Sequence, residues 1–305
     1  MKISIAILTK NAGSNFQRVL EQIFKQKEKD FEVIIIDSGS TDKTLEIAKR
    51  FPSKIYKINP EEFNHGKIRN FAAKIAKSKY IVYLTQDAIP ANEFWLSNLL
   101  KNFKDKKVAA VFSRQIPRKN ASLIEIFFNE FHFPNQKIIR PNKDKAFMKS
   151  IFFSNVSSCI KRDILLNYPF DEKLIMSEDQ QFARDVIKAG YKTVYEPKSE
   201  VIHSHDYTLV SVFQRYFDSA FSLKEITKES DKKFLDYGLN YTSSLFAFII
   251  KNNPLLIPYT FFYCTSMFLG TFLGTNQKYI PLFIKKIFSM HKNYWKNVKN
   301  IDNRS

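Results

Sequence analysis

Short apolar segments alternate with amphipathic segments along the first 113 residues of the chain. The apolar segments are rich in β-branched residues, and the segments between them repeat apolar residues at helical spacing. Because short links join them, the pattern predicts an α/β fold in which helices cover a layered sheet. The predicted strands are residues 4–9, 31–36, 53–58, 80–85 and 108–113, and the predicted helices are residues 15–26, 66–78 and 92–103, with one more that ends at Phe51.

The regular alternation ends near Arg114. Residues 177–180, Ser-Glu-Asp-Gln, have the form of a capping box that opens a helix. From Asp206 onward the pattern is helical and aromatic, so we expect one domain at residues 1–207 and a helical extension at residues 208–305. The other predicted elements are helices at residues 121–133 and 177–189, a strand at residues 151–160, and a strand and loop at residues 192–203.

The stretch from Phe31 to Asp42 combines an apolar strand with a polar turn. No polar residue interrupts residues 33–36, which is typical of a strand buried on both faces of a parallel sheet. Six polar or turn-forming residues, 37–42, follow where the strand passes into a helix. Ligands bind at this end of the strands in open α/β sheets, so the cluster is a candidate binding site. Helix capping by Thr41 or Asp42 explains one of the six residues but not the cluster.

The charge and aromatic content of the chain indicate what kind of partner the extension binds. The chain has 48 Lys and Arg against 30 Asp and Glu, a formal net charge of +18, which favours an anionic partner. From Lys251 to Ser305 there are eight basic residues and one acidic residue, Asp302. Nucleic acid is one possible partner. The 30 Phe residues and the apolar runs within the basic tail favour a membrane surface instead.

Compartment and cofactor class also follow from the sequence. The first apolar run is too short for a signal-peptide core, and Cys159 and Cys264 lie far apart without metal-site spacing. A reduced, cytoplasmic setting fits both observations. The seven glycines form neither a Gly-x-Gly-x-x-Gly motif nor a P-loop, which argues against a Rossmann dehydrogenase or an NTPase.

Several motifs together resemble family 2 glycosyltransferases of the GT-A fold, which have a mixed sheet with flanking helices. These motifs are Thr9-Lys10-Asn11, residues 37–42, the strand end at Asp87, and Glu178-Asp179. Further motifs look like the bacterial rhamnosyltransferase-type branch. They are residues 61–66 with Arg69-Asn70, residues 84–90, residues 114–117 and the tail at residues 289–295. The likeness covers roughly residues 2–207, and its specificity lies in the order and spacing of the motifs.

The resemblance implies a nucleotide-binding set in which Asp37 accepts a hydrogen bond from a pyrimidine base. A turn-forming role for Asp37 is the alternative. Arg69, with His65 nearby, would offset phosphate charge, or is a plain surface residue of its helix. Arg114 and Gln115 are placed near the sugar. The full nucleotide-binding set is Thr9, Asn11, Asp37, Asp42, Arg69 and Gln86.

The resemblance also implies a divalent cation, Mg²⁺ or Mn²⁺, at Asp87. The cation would bridge the two phosphates and stabilise the departing nucleotide diphosphate. The chain departs from the family's Asp-x-Asp signature, because Thr85 stands where the earlier Asp is expected. His205 or His203 is the expected additional ligand, and the alternative is that both histidines are ordinary loop residues.

By the same resemblance Asp179 is the general base that takes the proton of the acceptor hydroxyl, and Glu178 positions it. A helix N-terminus is expected to keep Asp179 ionised. Taken alone, two acidic residues in a first helical turn are explained by the helix dipole, worth about 0.3–1 kcal/mol. Their adjacency argues against a glycosidase, which needs two carboxylates on opposite sides of the sugar.

Residues 254–274 contain no charged residue and would form a helix of about 30 Å, enough to cross a bilayer. A single span would separate the Lys-rich tail from a cytoplasmic domain, although both belong on the cytosolic side. Residues 280–288 have the spacing of a helix lying in the membrane plane. We therefore expect peripheral attachment rather than a span. The alternative is that these helices pack on the first domain.

The sequence thus predicts an inverting glycosyltransferase, with a GT-A catalytic domain at residues 1–207 and a membrane-attaching extension. The expected donor is dTDP-rhamnose, followed by other dTDP or UDP sugars. The expected acceptor is a lipid-linked or surface polysaccharide, with the enzyme on the cytoplasmic face of an anionic membrane and no nucleic-acid partner. A non-catalytic basic protein that binds a membrane or nucleic acid is the alternative, because a fold does not fix a function.

Overall fold

This computed structural model describes residues 2–141, 150–227, 231–292 and 294–295 of the chain. The chain forms two compact units. The first comprises residues 1–118, 133–173 and 178–204, and the second comprises residues 119–132, 174–177 and 205–305. The change of unit after Ser204 is close to the predicted boundary at residue 207. The segments 119–132 and 174–177, which the sequence analysis placed in the first domain, belong to the second unit.

A nine-stranded sheet forms the centre of the first unit. Its strands are β1 (Ile3–Thr9), β2 (Phe31–Asp37), β3 (Ser53–Lys57), β4 (Tyr80–Thr85), β5 (Ile89–Pro90), β6 (Val108–Ile116), β7 (Ile138–Arg140), β8 (Ser157–Lys161) and β9 (Lys192–Ile202). Their order is β3-β2-β1-β4-β8-β6-β9-β5, and β7 also pairs with β9. The first four strands are parallel, whereas β8 runs antiparallel to both β4 and β6, so the sheet is mixed.

Helices cover this sheet, as the alternating pattern predicts. They are α1 (Asn15–Phe24), α2 (Thr44–Lys49), α3 (His65–Ile75), α4 (Trp95–Leu100), α6 (Arg162–Asn167) and α7 (Glu178–Lys188), where α5 lies in the second unit. Helix α4 is shorter than predicted because the chain continues as a 3₁₀ turn, Lys101–Lys104. The strand predicted at residues 151–160 is confined to β8, and the residues before it form a loop and turn.

Trp95 is fully buried at the centre of the first unit. Its indole N–H lies 2.8 Å from the Ser157 hydroxyl and 3.2 Å from the Ser113 hydroxyl, so one buried donor connects β8 and β6. The large apolar side chains of Trp95, Phe94 and Tyr83 predict core positions for all three, and those of Trp95 and Tyr83 are confirmed. The core position predicted for Phe94 is wrong, because this residue precedes α4 at its N-cap and is 48% exposed.

The second unit is helical and aromatic. Its helices are α5 (Leu123–His132), α8 (Leu209–Thr227), α9 (Asp231–Asn252), α10 (Ile257–Thr275) and α11 (Leu282–Phe288). Phe127 and Phe131 of α5 pack edge-on against Tyr241 of α9, with ring centroids 5.3 and 5.1 Å apart. These aromatic contacts explain why α5 belongs to this unit. Among the described residues, the segment Pro254–Thr275 is the one helix long and apolar enough to cross a membrane.

Helices α8 and α10 touch backbone to backbone at two glycines. A Cβ at Gly270 would lie 2.4 Å from the carbonyl oxygen of Phe213, and a Cβ at Gly274 would lie 2.3 Å from that of Phe217. Since real Cβ atoms do not approach a carbonyl oxygen so closely, neither position has room for a side chain. The two glycines therefore set the spacing of these helices.

We predict that Gly274→Ala lowers the free energy of unfolding by roughly 1–3 kcal/mol, because the methyl group forces α10 away from α8. Gly238→Ala is the matched control, since its Cβ would meet no atom within 4 Å in α9. It should raise stability by up to about 1 kcal/mol through helix propensity. Chemical denaturation measures both values. Equal effects of the two substitutions would contradict the close packing.

Candidate active site

The order of strands produces a switch point beside β1. The chain runs from β1 outward through β2 and β3 and then returns to pair β4 with the other side of β1. Such a point opens a ligand-binding crevice at the carboxyl ends of the strands. Thr9 ends β1 opposite Asp37 of β2, and Leu8 lies opposite Thr85 of β4. The loops that carry most of the predicted site residues leave the sheet here.

Asp37 organises the loop that follows β2. Its side chain is 1% exposed. The carboxylate accepts hydrogen bonds from the N–H groups of Gly39 and Ser40 and from the hydroxyls of Ser40 and Thr9, at 2.5–3.1 Å. These four donors occupy the sites at which a carboxylate accepts. The turn-forming role is therefore present in the structure, and direct contact of Asp37 with a base stays a prediction.

Asn11 and Asp42 join the loop after β1 to the loop after β2. Asn11 Oδ1 accepts a hydrogen bond from the N–H of Thr41 at 2.8 Å. Asp42 accepts one from the N–H of Gly13 at 3.0 Å and one from the hydroxyl of Thr44 at 2.5 Å. The Thr44 hydrogen bonds are the main cause of the lowered pKa of Asp42. These hydrogen bonds thus join the loops after β1 and β2 into one concave surface, which we call the cradle.

Gln86 connects the loops on the two sides of the switch point. Its amide oxygen accepts a hydrogen bond from the N–H of Lys10 at 2.8 Å, and its amide nitrogen donates to the carbonyl of Lys10 at 3.2 Å. Since both ends of the amide are engaged, Gln86 fixes the loop after β4 to the loop after β1. Gln86 therefore has a structural role in the crevice, as a hydrogen-bonded link between these two loops.

Asp87 faces a histidine at the end of β9. Its carboxylate is 44% exposed, and Oδ1 lies 3.6 Å from Nε2 of His203. Nδ1 of His203 lies 2.8 Å from Oε1 of Gln115, an acceptor, so Nδ1 carries the proton and Nε2 is the nitrogen that would ligate a cation. His205 follows along the chain after Ser204. The ligand atoms of Asp87, His203 and His205 lie within 4.8 Å of one another, which fits a divalent cation.

Arg69 lies in a different setting from the predicted one. It is 8% exposed on α3, and its guanidinium donates to the carboxylate of Glu178, which is 4% exposed. The hydroxyl of Tyr83 donates to the carbonyl of Arg69 at 2.7 Å and ties this turn of α3 to β4. Arg69 therefore neutralises a buried carboxylate, and its contact with a donor phosphate stays a prediction.

Asp179 follows Glu178 in the first turn of α7. Its carboxylate accepts hydrogen bonds from the N–H groups of Asn155 at 3.0 Å and Gln180 at 2.9 Å. The residue after Asn155, Val156, accepts a hydrogen bond from the N–H of Thr85 at the end of β4. This contact joins the segment that holds Asp179 to the end of β4, two residues before Asp87.

The electrostatic environment raises the pKa of Asp179 to about 7. Desolvation is the largest cause, the negative charge of Glu178 adds to it, and the positive charge of Arg69 opposes it. The helix N-terminus was expected to keep Asp179 ionised, but the pKa of Asp179 is raised rather than lowered. Desolvation and a neighbouring carboxylate outweigh the dipole. A carboxylate with a pKa near neutrality is well suited to accept a proton from a hydroxyl.

Two further residues support the site. Asn155 holds Asp179 through its backbone N–H, and nothing in the sequence connects these distant positions. Gln115, expected near the sugar, orients His203, and its neighbour Arg114 pairs with Glu200 at 3.2 Å. The polar side chains of Arg114 and Gln115 near the end of β6 indicated a role in the site, but the sequence did not show which residues they contact.

The sequence model of "Glycosyl transferase family 2" matches residues 4–165, more than half of the chain. The chain belongs to this family and is a glycosyltransferase. It is 35% identical over 306 residues to the O-antigen chain rhamnosyltransferase RfbN of Salmonella typhimurium, with 98% of each chain covered. It is also 35% identical over 303 residues to the O-antigen chain rhamnosyltransferase WbaN of Salmonella anatum, with 97% of this chain and 96% of that protein covered.

A solved structure agrees with this fold. The mannosyltransferase PcManGT of Pyrobaculum calidifontis, determined with GDP-Man and Mn²⁺, superposes with a TM-score of 0.63 at 15% identity. The match covers 91% of this chain and 86% of that chain. The predicted family and the predicted GT-A fold are both confirmed.

We predict that Arg69→Met shifts the acidic limb of the kcat/KM profile to higher pH. As the expected general base, Asp179 would be inactive when protonated, and loss of the Arg69 charge raises the pKa of Asp179 further. Glu178→Gln should shift the limb to lower pH, because it removes the negative charge beside Asp179. The measurement is kcat/KM for sugar transfer across the neutral pH range.

The unfolding free energy and the KM for the donor are the control measurements for this pH experiment. Arg69→Met leaves Glu178 unpaired and should cost about 3–5 kcal/mol of unfolding free energy, whereas the double variant Arg69→Met/Glu178→Gln should recover most of it. A raised KM for the donor with an unchanged pH profile would contradict this account. It would show instead that Arg69 binds phosphate.

Proposed function

We propose that this glycosyltransferase moves a sugar, with inversion, from a nucleotide-diphosphate donor to an acceptor hydroxyl, with Asp179 as the general base. The observation that carries the proposal is the setting of Asp179. Two backbone N–H groups fix its carboxylate, and desolvation together with Glu178 gives it a pKa of about 7. Such a group accepts a proton as the hydroxyl attacks and releases it to water afterwards.

The proposed reaction is a single displacement. The acceptor oxygen forms a bond to the anomeric carbon, and the bond between that carbon and the diphosphate oxygen breaks with its electron pair. The hydroxyl proton passes to Asp179. Glu178, held by Arg69, is proposed to help position Asp179, and its negative charge adds to the desolvation that raises the pKa of Asp179. This route needs no nucleophilic Ser or Cys.

The loops around the switch point are the proposed nucleotide site. Thr9, Asn11, Asp37 and Asp42 hold the loops after β1 and β2 together, and Gln86 adds the loop after β4. Because their side chains engage one another, we propose that they act by presenting a rigid cradle to the nucleotide. Arg69 pairs with Glu178, and its contact with a donor phosphate stays a prediction.

Asp87, His203 and His205 are the proposed ligands of a divalent cation. One carboxylate and two imidazoles favour Mn²⁺ over Mg²⁺, because Mg²⁺ prefers oxygen ligands. A bound cation would neutralise the charge of the departing diphosphate. His203 is prepared for ligation, since Gln115 fixes its tautomer and its ring orientation.

Rhamnose is the proposed sugar because both O-antigen relatives, matched over nearly their whole length, are rhamnosyltransferases. The proposed donor is dTDP-rhamnose, with other dTDP or UDP sugars next. The proposed acceptor is a surface polysaccharide or a lipid-linked glycan, and the enzyme would work at the cytoplasmic face of an anionic membrane, without nucleic acid.

A thermal-shift panel of dTDP, UDP, GDP and CDP, each with and without Mn²⁺, tests donor and metal together. We expect a metal-dependent rise in Tm with dTDP or UDP, since a ligand at a hundredfold excess over Kd adds about 2.7 kcal/mol. Asp87→Ala should abolish the metal-dependent part. Asp105→Ala is the matched control, because its side chain is 43% exposed, against 44% for Asp87.

No shift with any nucleotide on a folded sample would contradict the donor site and favour the non-catalytic, membrane-binding alternative. A shift that needs no metal and survives Asp87→Ala would leave the nucleotide site in place and contradict the cation site alone.

A further inference from the structure

Helix α10 has two sharply different faces. One face is buried within the helical unit, at Thr260, Tyr263, Cys264, Met267, Gly270 and Gly274. The opposite face is exposed and apolar. We call it the α10 outer face, and it consists of Tyr259, Phe261, Phe262, Phe268, Leu269 and Phe272, which are 43–59% exposed. The buried residues recur at helical spacing. On the outer face exposed Thr265 lies between Phe262 and Phe268, and Tyr259 lies at the edge next to the buried face. Large exposed apolar patches of this kind mark interaction sites.

The packing of α10 on α8 argues against a transmembrane span. Gly270 and Gly274 rest directly on the backbone of α8, so α10 cannot enter a bilayer without bringing α8 along. Helix α8 carries Arg215, Asp218 and Lys224. Charged side chains at the bilayer centre are costly. The outer face is therefore the part of α10 that can contact lipid, with the helix axis lying in the plane of the membrane surface.

Charge around the outer face indicates which partner it meets. Exposed Lys251 precedes the helix, exposed Lys278 follows it, and the sequence between residues 254 and 274 has no charged residue. The ring of Tyr279, which is 75% exposed, lies 4.8 Å from the Lys278 Nζ. An apolar face with lysines and a tyrosine at its ends complements the acyl layer and the anionic headgroups of a membrane surface.

Helix α11 repeats the same combination. Phe283 and Ile287, one turn apart, are 67% and 63% exposed, and Lys285 and Lys286 lie between them. The sequence analysis placed the in-plane helix at residues 280–288. The structure adds the longer and more apolar face of α10 to it.

We propose that the α10 outer face, flanked by Lys251 and Lys278, docks in the plane of an anionic lipid bilayer. This goes beyond the proposed peripheral attachment by naming the contact surface. It does not depend on the identity of the donor or on the metal.

Flotation of the full chain with vesicles tests the proposal. The protein should float with vesicles of phosphatidylglycerol and phosphatidylcholine in equal parts, and much less with phosphatidylcholine alone. Phe268→Ser/Phe272→Ser should weaken binding to the anionic vesicles by about tenfold or more, because two apolar anchors are lost. Lys251→Gln/Lys278→Gln should weaken it by about fivefold per lysine, and more at low salt.

Phe94→Ser is the matched control, because Phe94 is 48% exposed on the first unit, and it should float like the unaltered protein. The nucleotide thermal shift of every variant, measured without vesicles, should be unchanged, which separates failure of docking from failure of the donor site. Unchanged flotation of Phe268→Ser/Phe272→Ser would overturn the proposal. So would a dimer in light scattering that this variant dissociates, since the face would then bind a second copy.

Discussion

The buried ion pair between Arg69 and Glu178 is the interaction on which the candidate active site depends. Two unit charges at about 4 Å interact by roughly 4 kcal/mol at an effective dielectric constant of about 20, whereas a helix dipole contributes about 0.3–1 kcal/mol. Neighbouring charges and desolvation therefore decide the protonation of Asp179. The positive charge of Arg69 offsets the negative charge of Glu178, the second carboxylate next to Asp179. The hydroxyl of Tyr83 anchors the turn of α3 that carries Arg69. The proposed catalysis thus relies on two side-chain contacts that join α3, β4 and α7.

The same part of the sheet organises the donor side. The reversal of strand order beside β1 places three loops at one edge, and the side chains of Thr9, Asn11 and Gln86 hydrogen-bond them to one another. A preformed cradle loses less entropy when it binds a nucleotide. At the end of β9, Gln115 likewise fixes His203 in advance. Rigidity on both sides of the crevice is what a displacement reaction needs, because it depends on alignment.

Local pattern predicted the strands β1, β2 and β4 well, because strands buried on both faces have a distinctive apolar composition. The family resemblance grouped Thr9 with Asp37, and the two side chains are hydrogen-bonded at the ends of adjacent parallel strands. The partner of Arg69 was not predictable, since Glu178 lies 109 positions away and only the tertiary fold brings the two side chains together. For the same reason the sequence did not show that α5 belongs to the helical unit. Its assignment depends on aromatic contacts with Tyr241.

The most direct test of the central claim is the rate of rhamnose transfer from dTDP-rhamnose by Asp179→Asn, compared with the unaltered enzyme, in samples that bind nucleotide equally in the thermal-shift assay. Loss of a general base is expected to lower kcat by about 10²–10⁴-fold. The unaltered enzyme should also lose activity as the pH falls below about 7, while the residual rate of the variant should not follow that profile. Transfer by Asp179→Asn at an undiminished rate would contradict the assignment of Asp179 as the base.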